Sequence, residues 1–186
     1  MAEVELPVDS QRRLIEISRQ ALEEVVLGRS SNHPRPSDPY LDRVGYGAFV
    51  TLFNDDELRG CIGSCAPSEP LGQLVAQMAE AAATRDRRMK PVGAMELDVI
   101  SIDISVLSPL EQSADPLSLE IGKHGLHIAR DRKRGVLLPQ VATEYGWDIL
   151  TFLQQTCLKA DLPKQAWRRT DSVVSSFTAL VIGEEK

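Results

Sequence analysis

Between Val99 and Leu107 the chain alternates: Ile100, Ile102, Ile104 and Val106 are apolar, and Ser101, Asp103 and Ser105 between them are polar. In an extended strand successive side chains point to opposite faces, so this alternation becomes one buried side and one polar side. The pattern commits the chain to a sheet with one face on a core. The other face carries Asp103 toward a cleft or toward solvent. Two further stretches supply hairpins. Gly47 to Phe53 is rich in strand formers, Asn54-Asp55-Asp56 supplies turn chemistry, and Glu57 to Gly63 returns as the antiparallel partner. Ile121 to Ala129, the charged turn Asp131 to Gly135 and Val136-Leu137-Leu138 read as the second hairpin. Ser172 to Ile182 reads as a closing strand and Leu119 to Ile121 as a short one.

Helical periodicity fills the intervals. Leu14, Ile17, Ala21, Leu22 and Val25 share one stripe from about Ser10 to Leu27, with Asp9 or Ser10 as the cap and Gly28 as the stop. Leu71, Leu74, Val75, Met78 and Ala82 mark a helix from Leu71 to Thr84, with Met78 in the core. The run Arg85-Asp86-Arg87-Arg88-Met89-Lys90 reads as a solvated helix end that compensates the dipole, with an anion-binding corner as the alternative. Pro139 to Gly146 suits a short helix that starts on proline and stops on glycine. Asp148 then caps a helix whose stripe of Ile149, Phe152, Leu153, Thr156, Cys157 and Ala160 puts Cys157 in the core. Arg29 to Val44, with Pro34, Pro36, Pro39 and an exposed His33, is a loop. Helices mixed with hairpins give an α+β fold rather than a doubly wound sheet. A length of 186 residues suits a single domain. Within it, the first hairpin and the helix after it would form a smaller lobe over about residues 45–95.

Charge excludes some functions. A net charge of −6 gives no field that would draw a phosphate backbone or an anionic membrane, so nucleic-acid binding is confined to local features such as Arg59 and the turn Arg132-Lys133-Arg134. Three cysteines at positions 61, 65 and 157 do not make a disulfide framework and point to a reducing, cytoplasmic compartment. No stretch approaches the roughly 20 apolar residues of a membrane span.

The chemistry concentrates in Glu57-Leu58-Arg59-Gly60-Cys61-Ile62-Gly63. Strand alternation would set Arg59, Cys61 and Gly63 on one side. A guanidinium beside a thiol favours the thiolate, which is the nucleophilic and metal-binding form, and the glycines let a backbone or a ligand approach. The other reading makes Cys61 a small buried hydrophobe and the glycines a packing device. A zinc site using Cys61, Cys65, His124 and His127 can be drawn. It requires distant hairpins to converge, and His124 and His127 differ in strand parity. Metal binding is therefore disfavoured.

Four blocks carry a family resemblance: Gly47 to Leu52, Leu58 to Gly63, Ile121 to Leu126, and Gly135 to Asp148. In order and spacing they resemble the signature of the AMMECR-one domain family, and the resemblance runs from about Leu14 to Ile182. It implies an α+β fold with a larger and a smaller lobe and a cleft between them. It also implies a role beside Memo-like and radical-SAM proteins, as in the AmmeMemoRadiSam system, whose protein A is of this type. Asp86-Arg87-Arg88-Met89 stands where the family usually has Asp-Pro-Arg-Phe, and Asp161 stands where glycine is usual.

The expected function is a small-molecule-binding or catalytic component of a modification pathway, with no cofactor specified. Cys61 is its candidate nucleophile or carrier thiol, Arg59 its activator and Glu144 a candidate acid or base. Gly60, Gly63, Lys123, His124, Gln140 and Lys159 are candidate substrate contacts. The alternatives are a non-catalytic adaptor and a nucleotide- or RNA-binding module.

Overall fold

The computed structural model describes residues 3–29 and 38–184. His33, Pro34 and Pro36 of the proline-rich loop lie outside the described residues. In chain order the elements begin with α1 (Val8–Val26), β1 (Gly47–Asn54), β2 (Glu57–Ser64), α2 (Leu71–Thr84), β3 (Ile100–Leu107) and β4 (Glu111–Gln112). They continue with β5 (Gly125–Arg130), β6 (Lys133–Leu137), α3 (Pro139–Glu144), α4 (Ile149–Lys159), β7 (Val173–Phe177) and β8 (Ala179–Gly183). The class is α+β, as the interleaved periodicities predict. Two compact units result: Glu5–Leu107 with Leu180–Lys186, and Ser108–Ala179 with Met1–Val4.

The first unit holds a four-stranded sheet in the order β2-β1-β3-β8. On one side α2 packs against β1 and β2, and α1 packs against α2 and β3. Ala48, Val50 and Leu52 of β1 and Ile102, Ile104 and Val106 of β3 are each 0% exposed. Each larger side chain of this kind contributes about 1.5–3 kcal/mol when fully buried. The alternate residues Phe49, Thr51, Phe53, Ser101 and Asp103 are only partly buried. Thr51 lies opposite Cys61 on one side and Asp103 on the other.

The start of α1 differs from expectation. Its cap position is Pro7 and receives no side-chain bond, because the hydroxyl of Ser10 donates instead to the buried carboxylate of Asp38 at 3.0 Å. The far end behaves as its glycine requires, with Gly28 at φ 64°.

The second unit holds a four-stranded sheet in the order β4-β7-β5-β6, with α3 and α4 packed on β5 and α4 also on β6. Leu126, Ile128, Phe152, Leu153, Cys157 and Val174 form its core. Asp148 caps α4 by accepting from the amide of Thr151 at 2.7 Å.

Two expectations fail here. The closing strand is two strands, β7 and β8, in different sheets. The break falls at Thr178, whose amide donates to the Ser108 hydroxyl and whose carbonyl accepts from the Ser108 amide. Composition alone does not register it, since both halves carry strand formers, Val173, Val174 and Phe177 in one and Val181 and Ile182 in the other. Leu119 to Ile121 forms no strand, whereas Glu111 and Gln112 pair with β7. The hairpin of β1 and β2 belongs with α1, β3 and β8 in the first unit, because β1 is paired on both sides.

Candidate functional site

Cys61 sits on β2, the edge strand of the first sheet, and is half-buried. In an antiparallel pair the amide and carbonyl of one residue point the same way. Those of Cys61 point outward, where an edge strand ordinarily presents unpaired groups. Both are taken by the segment after α2. The Cys61 amide donates to Asp86 Oδ2 at 2.9 Å, and Arg88 Nη2 donates to the Cys61 carbonyl at 3.4 Å. Asp86 also accepts from the Arg88 amide at 3.1 Å and from the Arg88 guanidinium at 2.6 Å and 3.0 Å. Asp86 and Arg88 together thus stand in for one residue of a neighbouring strand.

The Arg88 guanidinium holds the Asp86 carboxyl well below the ordinary aspartate range. Burial works against that lowering, and the amides of Cys61 and Arg88 add to it. The run expected to be a solvated helix end is therefore fastened at Asp86, which is buried although the three basic residues around it, Arg85, Arg87 and Arg88, are exposed. A single acid within a basic run, directly after a helix, is the signal that points to this residue.

On the side-chain side, Thr51 Oγ1 donates to Cys61 Sγ at 3.2 Å. Arg59 does not join this pair. A register shift after Leu52 leaves Arg59 without a cross-strand partner, so the alternation that would align it with Cys61 is broken at that point. Its guanidinium forms two bonds to Glu96, at 2.7 Å and 3.0 Å, and two more to the carbonyls of Lys90 and Pro91. It ties down the segment between α2 and β3. The cation placed against Cys61 is Arg88. Replacing Arg59 with glutamine is expected to lower the unfolding free energy by about 1–2 kcal/mol, the range for a partly exposed charged pair. Denaturant titration reads this, and the alkylation rate of Cys61 should stay within about twofold of wild type, as a distant screened charge requires.

The two motif glycines are occupied by protein. A Cβ on Gly60 would lie 2.4 Å from the carbonyl oxygen of Ala82, so α2 rests directly on the β2 backbone there. A Cβ on Gly63 would lie 2.3 Å from the ring of Phe49, its cross-strand partner. The second unit repeats both contacts: Gly135 lies under Thr156 of α4 and Ala160 directly after it, and Gly125 lies under the ring of Phe177. Packing accounts for these four positions.

The remaining candidates lie in the second unit. Glu144 is exposed at the end of α3, and Lys159 is exposed in the last turn of α4. Lys123 is within 4 Å of both Glu120 and Glu3, at 3.7 Å and 3.9 Å. His124 Nδ1 accepts from the Glu120 amide at 3.0 Å, which closes the turn before β5. Gln140 is half-buried in the first turn of α3. At the β5–β6 tip, Lys133 pairs with Asp161 and Arg134 donates to local carbonyls.

The pairs Cys61 with Cys65 and His124 with His127 fall in different units, and no group of three or more His, Cys, Asp or Glu suited to a metal occurs among the described residues. Burial pushes the Cys65 thiol up to about 11, which marks it as unreactive. A cavity of about 440 Å³ in the first unit is lined by Arg19, Asp98, Ser101 and Glu184 among others, and none of the candidate residues reaches it. No helix among the described residues is long and apolar enough to cross a membrane.

Comparison with known proteins gives a consistent result. A protein of Methanothermobacter thermautotrophicus is 42% identical over 184 residues, with 95% of each chain covered. One of Thermococcus onnurineus is 40% identical, covering 92% of this chain and 89% of its own. The crystal structure of an uncharacterized protein from Pyrococcus horikoshii matches with a TM-score of 0.87 at 34% identity, over 97% of this chain and 94% of that one. Residues 15–182 match the AMMECR1 family. The blocks from Gly47 to Asp148 that carry the resemblance fall inside that match, and the chain belongs to the AMMECR1 family.

Proposed function

We propose that this protein binds a small molecule and acts on it through the thiol of Cys61, as one component of a modification pathway. One observation carries the reading: the main chain of Cys61 is fixed at both polar atoms by Asp86 and Arg88, while its half-buried sulfur keeps a hydroxyl donor, Thr51, at 3.2 Å. A hydrogen-bond donor aimed at sulfur stabilises negative charge developing there, and fixed geometry spares the site reorganisation on reaction. Glu144, Lys123, His124, Gln140 and Lys159 lie in the second unit and are kept as separate candidates for polar contacts there. Memo-like and radical-SAM proteins are the proposed pathway partners, on the strength of the family resemblance.

The test is alkylation of the native protein by iodoacetamide, followed by peptide mapping. Cys61 is expected to react about tenfold faster at neutral pH than a free thiol, the behaviour of an activated cysteine, with Cys65 and Cys157 lagging behind it. A Cys61 no faster than a free thiol removes the nucleophile role. A second reading, an adaptor without catalysis, is favoured by Tyr145, which is 69% exposed and stacks on Trp147 with ring centroids 4.9 Å apart. Such an aromatic platform suits a protein partner. Loss of partner capture on Tyr145→Ala, with Cys61 inert, would select that reading.

A further inference from the structure

The polar face of the first sheet has a second functional end. Asp103 on β3 is the cross-strand neighbour of Thr51, and Thr51 is the neighbour of Cys61 on β2. Thiol and carboxyl are thus separated by two strand spacings, about 9.5 Å. Phe49 and Phe53, which share the face parity of Thr51 on β1, stand on either side of that line and are likewise partly buried. On the neighbouring strand β8 the carboxyl lies against Gly183, where a Cβ would come within 3.1 Å of Asp103 Oδ1, so no side chain at that position covers it.

Three arginines of this unit are already matched. Arg59 bonds Glu96, Arg88 bonds Asp86, and Arg19 bonds Glu184. Asp103 accepts no hydrogen bond and forms no ion pair among the described residues. Burial alone raises its carboxyl above the ordinary aspartate range, as befits a charge without a partner. A half-buried, unmatched carboxylate is a cost to the fold unless something else completes it.

We infer that this face takes a small molecule with a cationic group, such as a protonated amine or amidine, seated on Asp103 and a thiol-reactive centre presented to Cys61 Sγ. The inference rests on the reading of Cys61 as the reactive thiol and adds the charge of the substrate to it. A monocation brought to Asp103 supplies the missing partner, and the aromatic side chains flank the connecting segment. A neutral or anionic molecule of the same length gains nothing at that end.

The probes are two methanethiosulfonates of similar size, one ending in an ammonium and one in a sulfonate. Each transfers its alkylthio group to Cys61: the thiolate forms a disulfide with the sulfenyl sulfur, and methanesulfinate leaves. The ratio of the two rates at a fixed pH cancels the ionisation of the thiol and reports the local charge. A unit charge at this range shifts the local concentration of a monovalent ion by about threefold to tenfold at low salt. Asp103→Asn, which keeps the shape and removes the charge, is therefore expected to lower the cation-to-anion ratio at Cys61 about tenfold, and Asp103→Glu to retain most of it.

Asp103→Asn should melt at or above the wild-type temperature, since it deletes an unmatched charge. If it does not fold, Asp103→Ser serves in its place. A ratio unchanged within twofold in the neutral variant overturns the inference. A Cys61 that reacts no faster than a free thiol but keeps an Asp103-dependent ratio removes the nucleophile and leaves the cation site standing. A Cys61 that takes up neither reagent overturns both.

Discussion

Replacing Asp86 with alanine is expected to lower the unfolding free energy by about 3 kcal/mol, the sum of an unpaired buried amide and a broken charged pair. Three donors lose their acceptor: the amides of Cys61 and Arg88 and the guanidinium of Arg88. Arg88 is 56% exposed at its side chain and recovers water, which keeps the loss below that of a fully buried pair. In a chain of this length the melting temperature should fall by about 6–12 °C. The Cys61 strand edge also opens, so amide exchange at Cys61 should accelerate while the core of β3 stays protected.

Dependence on pH has a definite sign. The folded Asp86 carboxyl titrates below its unfolded value of about 3.9, so its contribution is complete above that pH and is lost as the pH falls toward the folded value. Denaturant midpoints of wild type and Asp86→Asn should therefore converge on acidification below about pH 4. Midpoints that remain parallel throughout would show that the carboxylate charge contributes nothing.

Replacing Gly60 with alanine is expected to cost about 3 kcal/mol, the upper range for overpacking, because the methyl group would meet the Ala82 carbonyl at 2.4 Å. Backbone lies on both sides of that contact, and no flexible side chain can swing away. Relief requires α2 to lift from the sheet, and Asp86 follows two residues after α2 ends. Gly60→Ala should thus weaken the Cys61 amide bond as well as the core, and calorimetry with amide exchange at Cys61 reads both. Alanine at Gly93, where the nearest atom is a Glu96 carboxylate oxygen at 3.5 Å, is the matched control and should cost under about 1 kcal/mol.

Sequence patterning made much of this legible. The alternation from Ile100 to Val106 places four apolar side chains on the core side with exposures of 0–4%. The stripe from Leu71 to Ala82 predicts α2, although Met78 is only partly buried and Ala79 takes the deeper position. Patterns fail where tertiary bonding decides. Nothing local reveals that Val173 to Phe177 and Ala179 to Gly183 enter different sheets, because the break lies in the bonds between Thr178 and Ser108.

The site divides along the same line. Cys61 is visible as chemistry in a glycine-flanked strand, but its fastening by Asp86 joins residues 25 apart in sequence. The register shift that sends Arg59 to Glu96 is equally silent in one strand read alone. Asp103 was visible as a polar residue in a strand. Its lack of a partner among the described residues, on which the proposed cation site rests, becomes apparent only in three dimensions.

Because Asp86 grips a main-chain amide, the clasp is indifferent to what residue 61 carries. Every amino acid except proline offers that same N–H, and serine or selenocysteine would also keep an acceptor for the Thr51 hydroxyl. Only the contact between the sulfur and the Thr51 hydroxyl then depends on the element at that position, and the proposed chemistry can be dissected by exchanging sulfur for oxygen or selenium on a main chain held in the same way.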